Sequence, residues 1–289
     1  MTSSDNVPGH RVNNIPKYLL WKRLHSLTGL FLVLYLIEHL LVNSQAALMF
    51  GEDGVGFVKA VNKIHDLPYL PFIEFFLIGV PIVIHASWGI KYLQTGRPNS
   101  YGSTNAAECY LPEYPRNHAY TWQRITSWVL LFLIAGHVIQ MRFLEYPLVV
   151  KEENKKKYYV RVQEDQGLGS LSKRLDFQIQ SHPEESISAK MPLRKGEVLI
   201  QSDSFGMAEL IMVRETFKSP LMLALYTLLV LSACFHAFNG LWTFMISWGV
   251  TLTQTSQKWM RRVANFIMIV VAFWGLAAIF GTYWINLKQ

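Results

Sequence analysis

The chain has 289 residues, of which 51% are hydrophobic and 16% are charged, a balance that is typical of membrane proteins. Its formal net charge is +7. Many basic residues lie near the ends of apolar stretches, where they set orientation in a membrane, so we do not expect nucleic acid as a partner.

Missing motifs exclude several kinds of redox chemistry. The two cysteines, Cys109 and Cys234, are too few for an iron–sulfur cluster or a disulfide framework. The sequence has no Cys-x-x-Cys-His for covalent haem attachment and no glycine-rich loop for a dinucleotide. The chain by itself therefore lacks the parts for flavin or substrate chemistry.

Five apolar stretches follow a polar N-terminal lead, and each has the roughly 20 residues that a membrane-spanning helix needs. The predicted spans are residues 19–43, 70–93, 121–144, 220–249 and 263–284. Pro81 inside the second span should kink that helix or free a backbone carbonyl. The sequence therefore predicts an all-α membrane protein, a bundle of five transmembrane helices.

A long polar insert interrupts the apolar stretches between the third and fourth spans, at residues 145–214. It divides the chain into helices one to three (residues 1–144), the insert, and helices four and five (residues 215–289). Turn-rich segments separate its short β-like runs, which are YPLVV, KYYVRVQ, DFQIQ and GEVLIQ. We predict a small β-rich extramembrane lobe, with a mostly disordered loop as the alternative.

The basic residues predict the orientation of the bundle. The N-terminal lead, the loop between spans two and three, and the loop that holds Lys258, Arg261 and Arg262 are basic. Because Lys and Arg favour cytoplasmic loops, we expect a cytoplasmic N-terminus, and a C-terminus and insert on the outer side. The host would be the plasma (inner) membrane of a prokaryote.

Four spans each carry one histidine at membrane depth, where an ionisable side chain is costly and usually has a partner or ligand. At about 1.5 Å per residue, His39 and His137 fall in the outer half of the membrane, whereas His85 and His236 fall in the inner half. Two histidines at one depth on different helices are what bis-imidazole haem ligation requires. A proton relay through these histidines is the main alternative.

Small residues would let a planar macrocycle fit between helices. Gly29 lies ten residues before His39, so roughly 15 Å deeper along the helix. That puts Gly29 near the level of the inner pair, where it can let the inner ring approach.

Motifs in all five spans resemble one family. In chain order they are RLHSLTG, LIEHLLVN, PIVIHASWGI, WQRITSW, GHVIQMRF and FHAFNGLWTFMISWGVTLTQTSQ. Together they closely resemble the single-chain diheme cytochrome b anchor of succinate dehydrogenase and fumarate reductase. The long insert departs from that family, which usually has a shorter connection there.

The resemblance implies two b-type haems, one held by His39 and His137 and the other by His85 and His236. It also implies a haem-propionate contact at His25 and Ser26. Such an anchor binds a flavoprotein subunit and an iron–sulfur subunit at the cytoplasmic face and lies in membrane lipid. Electrons from succinate would pass through both haems to a quinone, for which we expect menaquinone.

Quinone in this type of anchor binds near the outer haem, and its chemistry needs a proton-transferring group. The candidates on the outer side are Glu38, His65, Asp66 and Glu74. Glu38 points about 100° away from His39 on the helix, and Asp66 is also typical of a helix N-cap.

Three other functions stay open from the sequence. The chain could anchor another dehydrogenase, such as formate dehydrogenase or hydrogenase, although the FHAFNGLW block argues against it. It could be a proton-coupled transporter in which the histidines form a relay. It could also be a structural scaffold without haem.

Overall fold

The computed structural model describes residues 16–48, 52–95, 113–152 and 155–283. In chain order, its helices are α1 (Lys17–Ser44), α2 (Val55–His65), α3 (Leu70–Thr95), α4 (Pro115–Leu144), α5 (Leu168–Leu175), α6 (Glu185–Ser188), α7 (Phe205–Thr216), α8 (Pro220–Ser247) and α9 (Gln254–Gly281). Within the described ranges, five of them, α1, α3, α4, α8 and α9, are long and apolar enough to cross a membrane. The predicted five-helix membrane fold is confirmed. The polar lead up to residue 15, the middle of the basic loop between spans two and three, and residue 284 lie outside the described residues.

Two spans, α4 and α9, begin six or more residues earlier than the hydropathy pattern predicts. Helix α9 starts at Gln254, because Thr253 and Ser256 form a capping box in which each side chain accepts the other residue's backbone N–H. The basic segment assigned to a loop is thus the first part of this helix. Helix α4 starts at Pro115, which suits the first helical turn because its missing N–H has no partner there anyway.

In the described residues, three spans contain π-helical turns. They cover Phe75–Gly79 in α3, Ile139–Leu144 in α4 and Ala277–Gly281 in α9. The first ends two residues before Pro81, which cannot donate a backbone hydrogen bond. The predicted disturbance of the second span is therefore a change of helical winding next to that proline.

Helix α8 is central to the bundle, since it packs against α1, α4 and α9, whereas α3 packs mainly on α1. Helix α9 approaches α8 and α1 closely at Gly275. A Cβ atom there would lie 2.6 Å from Val230 on α8 and 3.3 Å from Leu40 on α1. A small residue at this crossing lets the helices pack tightly in lipid.

The insert forms a four-stranded antiparallel sheet, and its strands match the four β-like runs of the sequence. The strands are β1 (Leu148–Glu152), β2 (Lys155–Gln163), β3 (Gln178–Gln180) and β4 (Glu197–Ser202), in the spatial order β1-β2-β4-β3. The predicted β-rich insert is confirmed, and the alternative of a mostly disordered loop does not hold for the described residues.

Helix α7 was not expected from the sequence, and it forms the centre of the lobe. It packs between the sheet, through β2 and β4, and α2. All of its residues are buried except Glu209 and Glu215, which are partly accessible. Its first nine residues are apolar except for Glu209, and a helix with so much apolar surface is stable only when it is covered by other elements.

Asn62 attaches α7 to α2. Its amide oxygen accepts the Gly206 N–H at 2.7 Å, and its amide nitrogen donates to the Ser204 hydroxyl at 2.9 Å. A Cβ atom at Gly206 would lie 2.6 Å from the Val58 carbonyl oxygen. The contact between the two helices therefore requires glycine.

The lobe and the bundle share one hydrophobic core. Buried residues of α1, α8 and α9, such as Leu40, Val230 and Val271, belong to the same cluster as Ile200 and Leu210 of the lobe. The lobe is thus packed on one end of the bundle, the end at which α1 terminates. We call this the lobe end, and the end at which α1 begins the opposite end.

Candidate functional site

The four membrane-depth histidines form two pairs, at two levels of the bundle. The ring centroids of His39 and His137 are 6.0 Å apart and those of His85 and His236 are 6.1 Å apart. In each pair the ring planes are nearly perpendicular, at 75° and 84°. The structure thus brings together the partners that the depth count predicted, although haem binding by them stays a prediction.

The lobe-end pair is oriented by two tyrosines. Tyr226 on α8 donates its hydroxyl hydrogen to the Gln140 amide oxygen at 3.1 Å. Its oxygen can therefore accept from His137 Nδ1–H, which lies 3.2 Å away. Tyr35, one helical turn before His39, places its hydroxyl 3.3 Å from His39 Nδ1.

The opposite-end pair is oriented by a backbone carbonyl and a serine. His85 donates from Nδ1 to the His25 carbonyl oxygen at 3.1 Å. Ser127 donates its hydroxyl hydrogen to the Gln123 carbonyl at 2.6 Å, so its oxygen can accept from His236 Nδ1–H at 3.3 Å. These contacts hold both rings by their Nδ1 edges.

Hydrogen bonds at Nδ1 decide which nitrogen can bind a metal. An imidazole that donates from Nδ1 keeps its lone pair on Nε2, and metal-binding histidines are usually held in this way. Two nitrogens that each bind one ion at about 2.0–2.1 Å place their ring centres roughly 6 Å apart. Both pairs have this separation, so each pair would fit an iron that is bound by two imidazoles.

No group of three or more His, Cys, Asp or Glu side chains in the described part of the chain is arranged to hold a metal ion. Each pair instead offers two nitrogens. That is the number of nitrogens that a haem bound by two histidines would take from the protein.

Gly29 lies against the His85 imidazole, at the level that the sequence predicted. A Cβ atom on Gly29 would be 2.9 Å from His85 Cε1 and 3.2 Å from Nδ1. The missing side chain therefore provides the space in which this ring lies.

His25 and Ser26, the candidate propionate contacts, lie at the opposite-end pair. The His25 ring stacks on the His85 ring with centroids 4.2 Å apart, and no partner in the described residues reaches its buried Nδ1 atom. Ser26 accepts the Trp248 indole N–H at 2.8 Å. A buried nitrogen without a partner fits a polar group of a bound ligand, whereas the Ser26 oxygen already has a donor.

The four quinone candidates occupy different environments at the lobe end. Glu38 is exposed on the surface of the bundle. Glu74 forms an ion pair with Arg142 at 3.1 Å. Asp66 follows the last residue of α2, and Tyr69 occupies the N-cap of α3, so the N-cap alternative for Asp66 is wrong.

His65 belongs to the contact between α2 and the lobe. Its ring stacks on Phe205 with centroids 4.0 Å apart, and its Nε2 atom lies 3.5 Å from the Tyr158 hydroxyl. Burial, with the positive charge of Lys156, lowers the pKa of His65 from its usual value. A packing role at this interface accounts for these contacts.

The sequence did not identify the residues that orient the histidines from neighbouring helices. Tyr35 could have been found, since it lies four residues before His39 and therefore on the same helical face. Ser127, Gln140 and Tyr226 act across helix contacts, and no spacing within one helix indicates such a pairing.

No protein-family model matches the chain. The chain is 28% identical over 261 residues to the succinate dehydrogenase cytochrome b558 subunit of Bacillus subtilis (strain 168), an alignment that covers 90% of this chain and 95% of that protein. The similarity extends over nearly the whole length of both chains. It confirms the resemblance to a cytochrome b membrane-anchor subunit of succinate dehydrogenase that the sequence motifs indicated.

Proposed function

We propose that this integral membrane protein is the haem-b anchor subunit of a succinate:quinone oxidoreductase. His39 and His137 would hold one haem b, and His85 and His236 a second. Haem supplies one-electron transfer when it is bound. The anchor would carry electrons between an iron–sulfur subunit and a membrane quinone, for which we propose menaquinone.

The observation that carries the proposal is the arrangement of the imidazoles in two tiers. One tier is the lobe-end pair, His39 and His137, and the other is the opposite-end pair, His85 and His236. Both have centroid separations close to 6 Å, and hydrogen bonds at Nδ1 leave Nε2 available in at least His85, His137 and His236. Gly29 lies beside His85 and ten residues from His39, so the tiers are roughly 15 Å apart along α1. A proton relay needs hydrogen-bonded neighbours, whereas the tiers are separated from each other by several helical turns.

The opposite end of the bundle is the proposed docking face for the iron–sulfur subunit, which in turn binds the flavoprotein subunit. Basic and aromatic side chains alternate there. The Arg23 guanidinium lies 4.7 Å from the Trp248 ring centroid, and the Lys91 ammonium lies 4.3 Å from that of Trp88. We place this end in the cytoplasm of a prokaryote and the lobe outside, because of the basic loops.

Quinone would react at the lobe end, near the His39–His137 pair. Its reduction takes up two electrons and two protons, so ionisable groups must lie near its carbonyl oxygens. Among the four candidates we propose Glu74, which is held in place by its ion pair with Arg142. Glu38 lies on the surface of the bundle, His65 lies in the contact between α2 and the lobe, and Asp66 follows the last residue of α2.

Removal of single histidines tests the two-haem proposal. The complex is purified with its partner subunits, and haem is measured per protein by its absorption after conversion to the pyridine adduct. We expect His39→Ala and His236→Ala each to lose about half of the haem, since each removes one ligand from a different tier. The remaining haem should respond to succinate only in His39→Ala, because the tier next to the docking face is intact there.

His182→Ala is the matched control, since His182 is exposed in the lobe and belongs to neither tier. It should keep the full haem content. A wild-type complex without reduced b-type absorption bands would refute haem binding and favour the relay. Co-purification with formate dehydrogenase or hydrogenase subunits would instead identify a different dehydrogenase partner.

A further inference from the structure

A mixed charged cluster lies at the lobe end, where two spans meet the insert. The Glu74 carboxylate is 3.1 Å from the Arg142 guanidinium, and this guanidinium is 4.7 Å from the centroid of the Tyr146 ring. A π-helical turn, Phe75–Gly79, directly follows Glu74, and a second one, Ile139–Leu144, contains Arg142. Such turns occur frequently at functional sites.

Helix α7 of the insert reaches this cluster. The Phe205 ring is 5.7 Å from Tyr146, 5.5 Å from Tyr158 and stacked on His65. Glu209 follows Phe205 by one helical turn and therefore lies on the same face of α7. The insert thus directs a carboxyl group toward Arg142.

Glu209 is partly buried on a helix whose other residues, except Glu215, are fully buried. Burial raises its pKa to about 7, although the positive charge of Arg142 opposes this shift. The charge of Arg142 in α4 acts on Glu209, and Glu209 in turn acts on Tyr146, which follows α4. The other ionisable groups of the cluster are Glu74 on α3, His65 on α2 and Tyr158 on β2. Glu215 on its own helix is engaged elsewhere, in an ion pair with Lys218 at 2.7 Å.

We propose that Glu209 is the proton-transfer residue through which the insert serves the quinone site. The inference rests on the proposed function. For each quinone reduced to quinol, two electrons arrive from succinate through the subunits of the complex, and two protons come from the outer water. Glu209 takes up one proton at a time, passes it toward the Glu74–Arg142 pair and the quinone oxygen, and is protonated again by water.

This role explains why a polar insert is packed onto the bundle rather than loosely tethered. Asn62 and Gly206 fix the start of α7 against α2, which sets the position of Glu209 relative to Arg142. Proton transfer requires a donor within hydrogen-bond reach, directly or through one water molecule. A rigid attachment fixes the position of the carboxyl group near Arg142, whose positive charge acts on it.

The test compares Glu209→Gln with Glu215→Gln in the purified complex. The glutamates lie on the same helix and differ in their neighbours, so Glu215→Gln is a matched control. Three rates are measured from pH 5.5 to 9: succinate-driven reduction of a water-soluble 1,4-naphthoquinone, succinate-driven haem reduction, and reduction of a phenazine dye by succinate. The dye takes electrons before they reach the anchor.

We expect Glu209→Gln to slow naphthoquinone reduction at least about tenfold at pH 7, since a positioned proton donor contributes about 10²–10⁴-fold and water replaces it in part. The wild-type rate should fall as the pH rises through about 7, because Glu209 then loses its proton. The variant should lack this decline. Haem and dye reduction should stay at wild-type rates in both variants.

A wild-type pH profile in Glu209→Gln would overturn the inference, as would an equal loss of quinone reduction in Glu215→Gln. So would a parallel loss of haem reduction, which would show a structural role. If Glu209→Gln does not assemble, Glu209→Asp keeps the carboxyl group and should shift the decline in pH, and an unshifted profile overturns the inference. Failure of the wild-type complex to reduce haem or naphthoquinone with succinate would refute the proposed function itself.

Discussion

The imidazole of His85 lies directly against the backbone of Gly29, and its Nδ1 atom donates to the His25 carbonyl. A helix can offer such a contact only where a side chain is missing, because a Cβ atom would overlap the ring. His137 and His236 are held by hydroxyl groups instead. At the scale of single residues, each tier thus combines two nitrogens with neighbours that fix their rings.

Replacement of Gly29 by Ala tests the importance of this close contact. The added Cβ would lie 2.9 Å from His85 Cε1, and overpacking of this kind costs about 1–3 kcal/mol. We expect lower occupancy or a shifted reduction potential of the opposite-end haem, with the lobe-end haem unchanged. A redox-titrated optical spectrum measures both.

Gly89→Ala is the control for this experiment, since Gly89 lies on the membrane-spanning helix α3 and a Cβ atom there meets nothing within 4 Å. It should leave both haems as in the wild type. Equal spectra for Gly29→Ala and Gly89→Ala would contradict the assignment of His85 as a ligand held against Gly29.

At the scale of elements, helix α7 connects the insert to the bundle. It is buried between β2, β4 and α2, and its N-terminus is held by Asn62. The hydrophobic cluster that continues into the spans makes the lobe a packed extension of the membrane bundle. This core extends across residues 144 and 214. The domain boundaries predicted at these two residues stay a prediction.

Gly206→Ala should loosen this attachment. Its Cβ would lie 2.6 Å from the Val58 carbonyl oxygen, a backbone atom that cannot turn away, so we expect a loss of about 1–3 kcal/mol in the stability of the lobe. Limited proteolysis of the purified complex should cut the insert faster, while the haem spectrum is retained.

Gly169→Ala provides the comparison within the same lobe, because a Cβ atom there has no neighbour within 4 Å. Its proteolysis should match that of the wild type. An insert that stays as resistant in Gly206→Ala as in Gly169→Ala would show that the α2–α7 contact does not hold the lobe in place.

At the scale of the whole molecule, the proposed function places an electron path between the two histidine pairs, from one side of the membrane to the other. An electron that crosses the full membrane gains or loses about 2.3 kcal/mol per 100 mV of membrane potential. With an inside-negative potential and the orientation proposed above, electrons from succinate move outward with the field. The potential would then assist the reduction of a quinone that is a poor acceptor.

An uncoupler should therefore slow electron transfer from succinate to menaquinone in energised membrane vesicles. The measurement compares the rates of quinone reduction before and after uncoupler addition, and succinate-driven dye reduction serves as the control because it does not cross the membrane. Undiminished quinone reduction in uncoupled vesicles would contradict a path across the bilayer.

Much of this architecture could be predicted from the sequence, for a physical reason. A helix that crosses lipid must be apolar for about 20 residues and advances by a constant rise, so the spans, the depth of His39 and the level of Gly29 follow from counting. Strand alternation between turn residues likewise indicated the sheet. The predicted start of α9 at residue 263 was wrong, because a capping box extends that helix into the polar sequence before it.

By itself, the sequence determined the number of spans, the β-rich insert and the two levels at which histidines lie, since these depend on local composition and spacing. Only the tertiary structure decided which side chains meet across helices. Tyr226 and Ser127 orient histidines on other helices, and α7 directs Glu209 toward Arg142, because contacts between distant segments depend on helix rotation and packing rather than on spacing along the chain.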